Sequence, residues 1–168
     1  MASYSATRKH IPLVGNVGSP TGTTLYANTF DPNAEIFTAD NTWEWLGRAS
    51  GSYTFRYDIL ASANYEHRSG NAFARQVSFT GGKQIPSITL NVEPIGAERL
   101  PNINLLDLRV EKTFKLIARQ SATIRLNIFN SLNAATVTSE GTLSGPSYGI
   151  PSAILPPRTF EVSASYRF

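Results

Sequence analysis

The segment DPNAEIFTADNTWE places oxygen-bearing side chains at alternating positions, beginning with Asp31, Asn33 and Glu35. Carboxylate and amide oxygens at such a spacing are typical ligands of calcium in a twelve-residue loop. That loop also requires a glycine at its sixth position and a glutamate at its twelfth, where this segment has Ile36 and Thr42. A calcium loop is therefore the lesser alternative, and an ordinary loop is favoured.

The sequence offers little other chemistry. The two histidines, His10 and His67, are far apart, and no cysteine is present to supply a thiolate ligand, a disulfide or a nucleophile. Nucleophile elbows, zinc-protease motifs, phosphate-binding loops and dinucleotide fingerprints are absent. The prediction is that the chain is not an enzyme and binds no cofactor or metal.

Aromatic residues gather around the first long polar stretch. Trp43 and Trp45 follow it, and Tyr26, Phe30 and Phe37 lie within it. They could contact a sugar or a peptide, but the favoured interpretation is that the two tryptophans begin a strand at a membrane interface.

Composition narrows the class of protein. The chain has 168 residues, 41% hydrophobic and 16% charged, with 12 Gly and 10 Pro. A net charge of +3 without a basic run gives nucleic-acid binding little support. The N-terminus lacks the basic and then apolar pattern of a signal peptide.

Alternation of apolar and polar residues is the main structural signal, and it is typical of strands with two different faces. The clearest examples are TFEVSASYRF, SATIRLNIFN and NLLDLRVEKTFKL. The sequence predicts an all-β, antiparallel up-and-down meander of about six strands, at residues 2–9, 48–57, 59–69, 103–116, 121–130 and 159–168.

Each strand has one apolar and one polar face. The polar face includes Arg109, Glu111, Arg125, Glu161 and Arg167. Lys112 is the exception, because strict alternation places it on the apolar face. Two explanations stay open, a lysine that reaches to lipid headgroups and a local β-bulge.

The connections between the predicted strands alternate between long and short. In a meander, all long connections then lie at one edge of the sheet and all short turns at the other. That asymmetry, with most strands long enough for the 9–11 residues that cross a bilayer, is typical of outer-membrane β-barrels.

Four segments resemble the C-terminal end of a TonB-dependent outer-membrane receptor, of the Oar-like subset found with carboxypeptidase-regulatory-like domains. They are GRASGSYTFRYDILASANYEHRSG, RLPNINLLDLRVEKTFKL, LNIFNSLNAATV and GIPSAILPPRTFEVSASYRF. The resemblance implies an outer-membrane location, a role in nutrient uptake, an unknown small ligand and contact with lipid.

The same resemblance implies that the barrel assembly machinery recognises the last strand. The signal would be its apolar face, made of Phe160, Val162, Ala164, Tyr166 and Phe168. Complete barrels of this family have 22 strands and a plug in the lumen. Residues 1–168 are therefore expected to be a partial barrel domain, a C-terminal fragment without plug or TonB box. Met1 would be an internal or artefactual start, and the remaining barrel and the plug would be the partners of the fragment.

The alternative is a soluble extracellular β-sandwich that binds carbohydrate or a similar ligand. A sandwich buries its apolar faces between two sheets, whereas a barrel fragment leaves them outward. A soluble sheet would also normally protect its two edge strands.

Overall fold

A computed structural model describes residues 1–10, 40–81, 87–116 and 120–168, and all regular structure in these ranges is β-structure. In chain order the strands are β1 (Ala2–Arg8), β2 (Trp43–Phe55), β3 (Ile59–Arg68), β4 (Ala72–Phe73), β5 (Gln76–Thr80), β6 (Ser87–Asn91), β7 (Glu98–Arg99), β8 (Ile103–Lys115), β9 (Ser121–Phe129), β10 (Val137–Glu140), β11 (Pro151–Ile154) and β12 (Thr159–Arg167). The described ranges hold no helix with the length and apolarity that crossing a membrane requires.

Six strands form one sheet in the order β1-β2-β3-β8-β9-β12, and every neighbouring pair is antiparallel. The predicted six-stranded meander is thus confirmed. The sheet is open, because β1 and β12 form its two edges and do not pair with each other. Five of the six strands have between 9 and 13 residues.

The boundary of β2 is the largest error in the sequence prediction. The strand begins at Trp43, five positions before the predicted start at 48, because residues 43–49 pair with β1. The alternation in this part of the strand is weak in sequence, since Glu44 and Arg48 are charged but Leu46 on the same face is apolar.

The connections lie as expected from the meander. A three-residue turn joins β2 to β3, with Tyr57 at φ 67° and Asp58 at φ 56°. Leu116 donates its amide to the carbonyl of Gln120 and so closes the short β8–β9 connection, of which 117–119 are not described. The long connections leave and enter their strands at the opposite end of the sheet.

Short strand pairs that the sequence did not predict occur inside the long connections. They are β4–β7 and β5–β6 between β3 and β8, and β10–β11 between β9 and β12. The β3–β8 and β9–β12 connections contact each other at Gln76. Its backbone bonds to the backbone of Thr142 and Ser144, and its side-chain oxygen accepts from the hydroxyl of Thr142. The buried hydrophobic residues of the described chain lie in or beside these two long connections: Ala74, Leu100, Ile103 and Leu155.

Candidate functional site

The two faces of the six-stranded sheet are the candidate site, and the register assigns every strand residue to one of them. Leu108, Ile128 and Phe160 share a row across β8, β9 and β12, as do Val110, Leu126 and Val162. We call the side that carries these rows the apolar face. It contains all eight residues that the sequence predicted to lie together: Leu106, Leu108, Val110, Ile124, Leu126, Ile128, Val162 and Ala164.

No second sheet covers the apolar face in the described part of the chain. Val162 is 71% exposed and Ile124 is 48% exposed. Within the described residues, no partner layer buries these side chains as the second sheet of a β-sandwich would. The apolar face is therefore exposed in the described part of the chain.

Aromatic residues lie toward the two ends of the strands on the apolar face. On β2, Trp43 and Trp45 lie at the long-connection end, and Tyr53 and Phe55 at the short-turn end, where their rings meet edge to face at 4.7 Å. Small residues occupy the strand between them. The predicted placement of both tryptophans at the start of a strand is confirmed.

The last strand is the outer edge of the sheet. Its apolar-face residues pair with β9 on one side, and Phe160 is 61% exposed. Tyr166 and Phe168 stack with ring centroids 6.3 Å apart, and Phe168 is 94% exposed. The five residues predicted to form an assembly signal, including Ala164, thus form one accessible stripe on an edge strand.

The opposite side, which we call the polar face, carries paired charges. Glu111 accepts hydrogen bonds from Arg109 and Arg125, each at 2.8 Å. Asn127 donates to Glu161 at 3.4 Å. The pairing of β9 with β12 also places Arg167 on this face, opposite Ser121. All five residues predicted for the polar face lie there.

Sequence analysis did not find a second charged cluster on the polar face. Arg48 on β2 and Arg68 on β3 lie 2.9 and 3.7 Å from the carboxylate of Glu66. The Arg48–Glu66 pair follows from the register of a hairpin that brings together residues 18 positions apart. A concavity of ≈ 850 Å³ also opens on this face, lined by polar residues that include Ser50, Ser62, Asn64 and Asp107.

Lys112 lies on the apolar face, as strict alternation predicts. Its row partners are Ile59 and Ile124, and the register of β8 is continuous on both sides. The β-bulge explanation is therefore wrong. The ammonium lies 6.0 Å from the ring centroid of Tyr57 and 5.5 Å from that of Phe114.

A polar network occupies the long-connection end of the apolar face. Trp45 donates from Nε1 to His67 Nε2 at 3.3 Å. Because an indole can only donate, His67 carries its proton on Nδ1 and donates it to Asn104 Oδ1 at 2.7 Å. Tyr65 donates to the same oxygen at 2.9 Å. The network fixes aromatic rings at this end of the sheet.

A buried asparagine links the end of β9 to the segment before β12. Asn130, 5% exposed with φ 48°, donates from its amide to the carbonyls of Ala134 and Pro156. Its own carbonyl oxygen accepts from the amide of Ala134, and its backbone amide donates to Asp107. This gives the second asparagine of the LNIFNSLN segment a structural role that the sequence did not reveal.

The remaining candidates for chemistry do not converge. His67 belongs to the network with Trp45, and His10 follows β1. The described residues contain no group of three His, Cys, Asp or Glu side chains that could hold a metal. The calcium candidates Asp31, Asn33 and Glu35, and the aromatic residues of 26–37, lie outside the described residues.

Comparisons with models of protein families, with curated proteins and with solved structures find no match for this chain.

Proposed function

We propose that the chain forms the last six strands of an outer-membrane β-barrel of the TonB-dependent receptor type, which takes up a nutrient. The observation that carries this proposal is the exposed apolar face. Its residues span the sheet from β2 to β12 and include Tyr53, Val110 and Val162, which are 66%, 44% and 71% exposed. Large exposed apolar surfaces are rare in soluble monomers and mark contact with a partner or with lipid.

Strand length and the positions of aromatic residues favour lipid. Five strands have at least 9 residues, which suffices for a tilted transmembrane strand. Aromatic rings lie at both strand ends, where the two interfaces of a bilayer would be. The polar face, with its arginine–glutamate clusters, would line the water-filled interior.

The two open edges agree with a partial barrel. β1 and β12 present unpaired backbone groups, and in a bilayer such groups must find partners within the protein. The remaining strands of the receptor barrel would supply them, and the plug would lie in the lumen. Uptake and gating belong to the complete receptor, and the barrel assembly machinery would recognise the exposed stripe from Phe160 to Phe168 during insertion.

Dilution from urea tests the proposal. We expect the chain to aggregate in buffer, because its apolar face and edges lack partners, and to float with phosphatidylcholine vesicles when diluted into them. A monodisperse monomer in buffer that does not float with the vesicles would contradict the proposal and favour a soluble β-sandwich binding module.

A further inference from the structure

A groove crosses the apolar face between β2, β3 and β8. Its volume is ≈ 560 Å³. Small side chains form its floor and larger ones its walls, with one row of Gly51, Ala63 and Leu108 and a second row of Tyr53, Ala61 and Val110. A Cβ atom added at Gly51 would meet no atom within 4 Å. The groove is thus open above Gly51 and has the apolar lining that a hydrocarbon chain requires.

A cation lies at one end of this groove. Lys112 follows Val110 on the same face of β8, one row closer to the short turns. Its ammonium lies above the rings of Tyr57 and Phe114 and donates one hydrogen bond to the carbonyl of Tyr57. An ammonium has three donors, so this one can also bind an anion.

The nearby carboxylate of Asp58 forms its ion pair with Lys115 and not with Lys112. Asp58 lies in the same turn as Tyr57, but its oxygen contacts Lys115 at 2.9 Å. That contact lowers the pKa of Asp58, mainly through the hydrogen bond from Lys115. Asp58 thus bonds to Lys115 on the polar face of β8, and Lys112 adds only a smaller Coulombic attraction. Two of the three donors of the Lys112 ammonium therefore stay open to another partner.

We propose that the groove and Lys112 together bind one anionic phospholipid. An acyl chain lies over Gly51 and Ala61, and the headgroup phosphate accepts a hydrogen bond from Lys112. Charge complementarity selects an anionic lipid, because a zwitterionic headgroup also brings a second cation near the ammonium of Lys112. The inference rests on the proposed membrane function and adds a defined lipid partner to it.

Competition between two lipids tests the site. The full chain is folded into vesicles of phosphatidylcholine with a minor fraction of phosphatidylglycerol and extracted with detergent, and retained lipid is counted by native mass spectrometry. One cation near an anionic lipid contributes about 1 kcal/mol, so we expect phosphatidylglycerol to be enriched about fivefold over its fraction in the vesicle.

Matched variants separate the site from general effects. Lys112→Gln should abolish the enrichment, whereas Arg167→Gln, which removes the same charge from the polar face of β12, should preserve it. Gly51→Leu should fill the groove and lower retention of both lipids, whereas Ala164→Leu places the same side chain on the apolar face of β12 and should not.

The outcomes distinguish the site from the membrane proposal. Vesicle flotation without enrichment, or equal enrichment in the Lys112→Gln and Arg167→Gln variants, overturns the lipid site and leaves the membrane function standing. Failure of the chain to float with either lipid overturns both. Loss of retention in Ala164→Leu as great as in Gly51→Leu would show that the groove has no special role.

Discussion

Two lysine substitutions at adjacent positions of β9 test which solvent each face contacts. Leu126 lies on the apolar face between Val110 and Val162, and Asn127 lies on the polar face between Arg109 and Glu161. A lysine near the middle of a lipid-facing strand costs about 2–4 kcal/mol, which lowers the ratio of folded to unfolded protein by a factor of about 30 to 900. Leu126→Lys should show this loss, and Asn127→Lys should change stability by no more than about 0.5 kcal/mol.

The assay is equilibrium urea unfolding in phosphatidylcholine vesicles, followed by the fluorescence of Trp43 and Trp45. Both variants carry the same added charge, so a difference between them reports the face and not the net charge. Equal midpoints for the two variants would refute the assignment of the apolar face to lipid. A soluble sheet would also tolerate Leu126→Lys, because the flanking Val162 is already 71% exposed.

Three further predictions concern residues at the ends of strands or in the connections between them. Asn130→Ala should lower the free energy of unfolding in vesicles by about 1–3 kcal/mol, since two backbone carbonyls lose their amide donor; an unchanged urea midpoint would contradict this. The hydrogen bond to Glu98 raises the pKa of Tyr148 from 10.0 to about 12, so its stabilising effect is complete below pH 10.0 and is lost as the pH rises through the folded-state value. The difference between the spectra of the wild type and of Tyr148→Phe reports the ionisation of Tyr148, and in the folded chain its midpoint should lie near pH 12. A midpoint at the ordinary tyrosine value would contradict the hydrogen bond to Glu98. Deleting Phe168 from this C-terminus placed on an intact receptor barrel should impair insertion in cells but not unassisted folding into vesicles, and equal losses in both would show that it is a packing residue.

The faces of the strands were predictable because alternation is a local property. In β9, the alternating residues Ile124, Leu126 and Ile128 specify their face without knowledge of any partner strand, and the register places them as predicted. The same argument located Lys112, where charge alone would have suggested the opposite face.

Cross-strand clusters were not predictable, because they depend on register and on the course of long connections. Tyr65 and Asn104 are 39 positions apart and become neighbours only when β3 pairs with β8. The short strands β5 and β6 were not predicted from the sequence for a related reason. Each is only five residues long and is ordered by pairing with the other, and β5 also contacts the loop around Thr142 through Gln76.

A cysteine scan along β9 tests the central claim most directly. The chain has no native cysteine, so single cysteines at 122–128 can be labelled in vesicles with a spin label and measured against oxygen and a water-soluble relaxing agent. We predict a period of two, with positions 122, 124, 126 and 128 accessible to oxygen from the lipid and positions 123, 125 and 127 accessible to the water-soluble agent. Equal access of the water-soluble agent to all seven positions, or the opposite phase, would contradict a sheet whose apolar face contacts lipid.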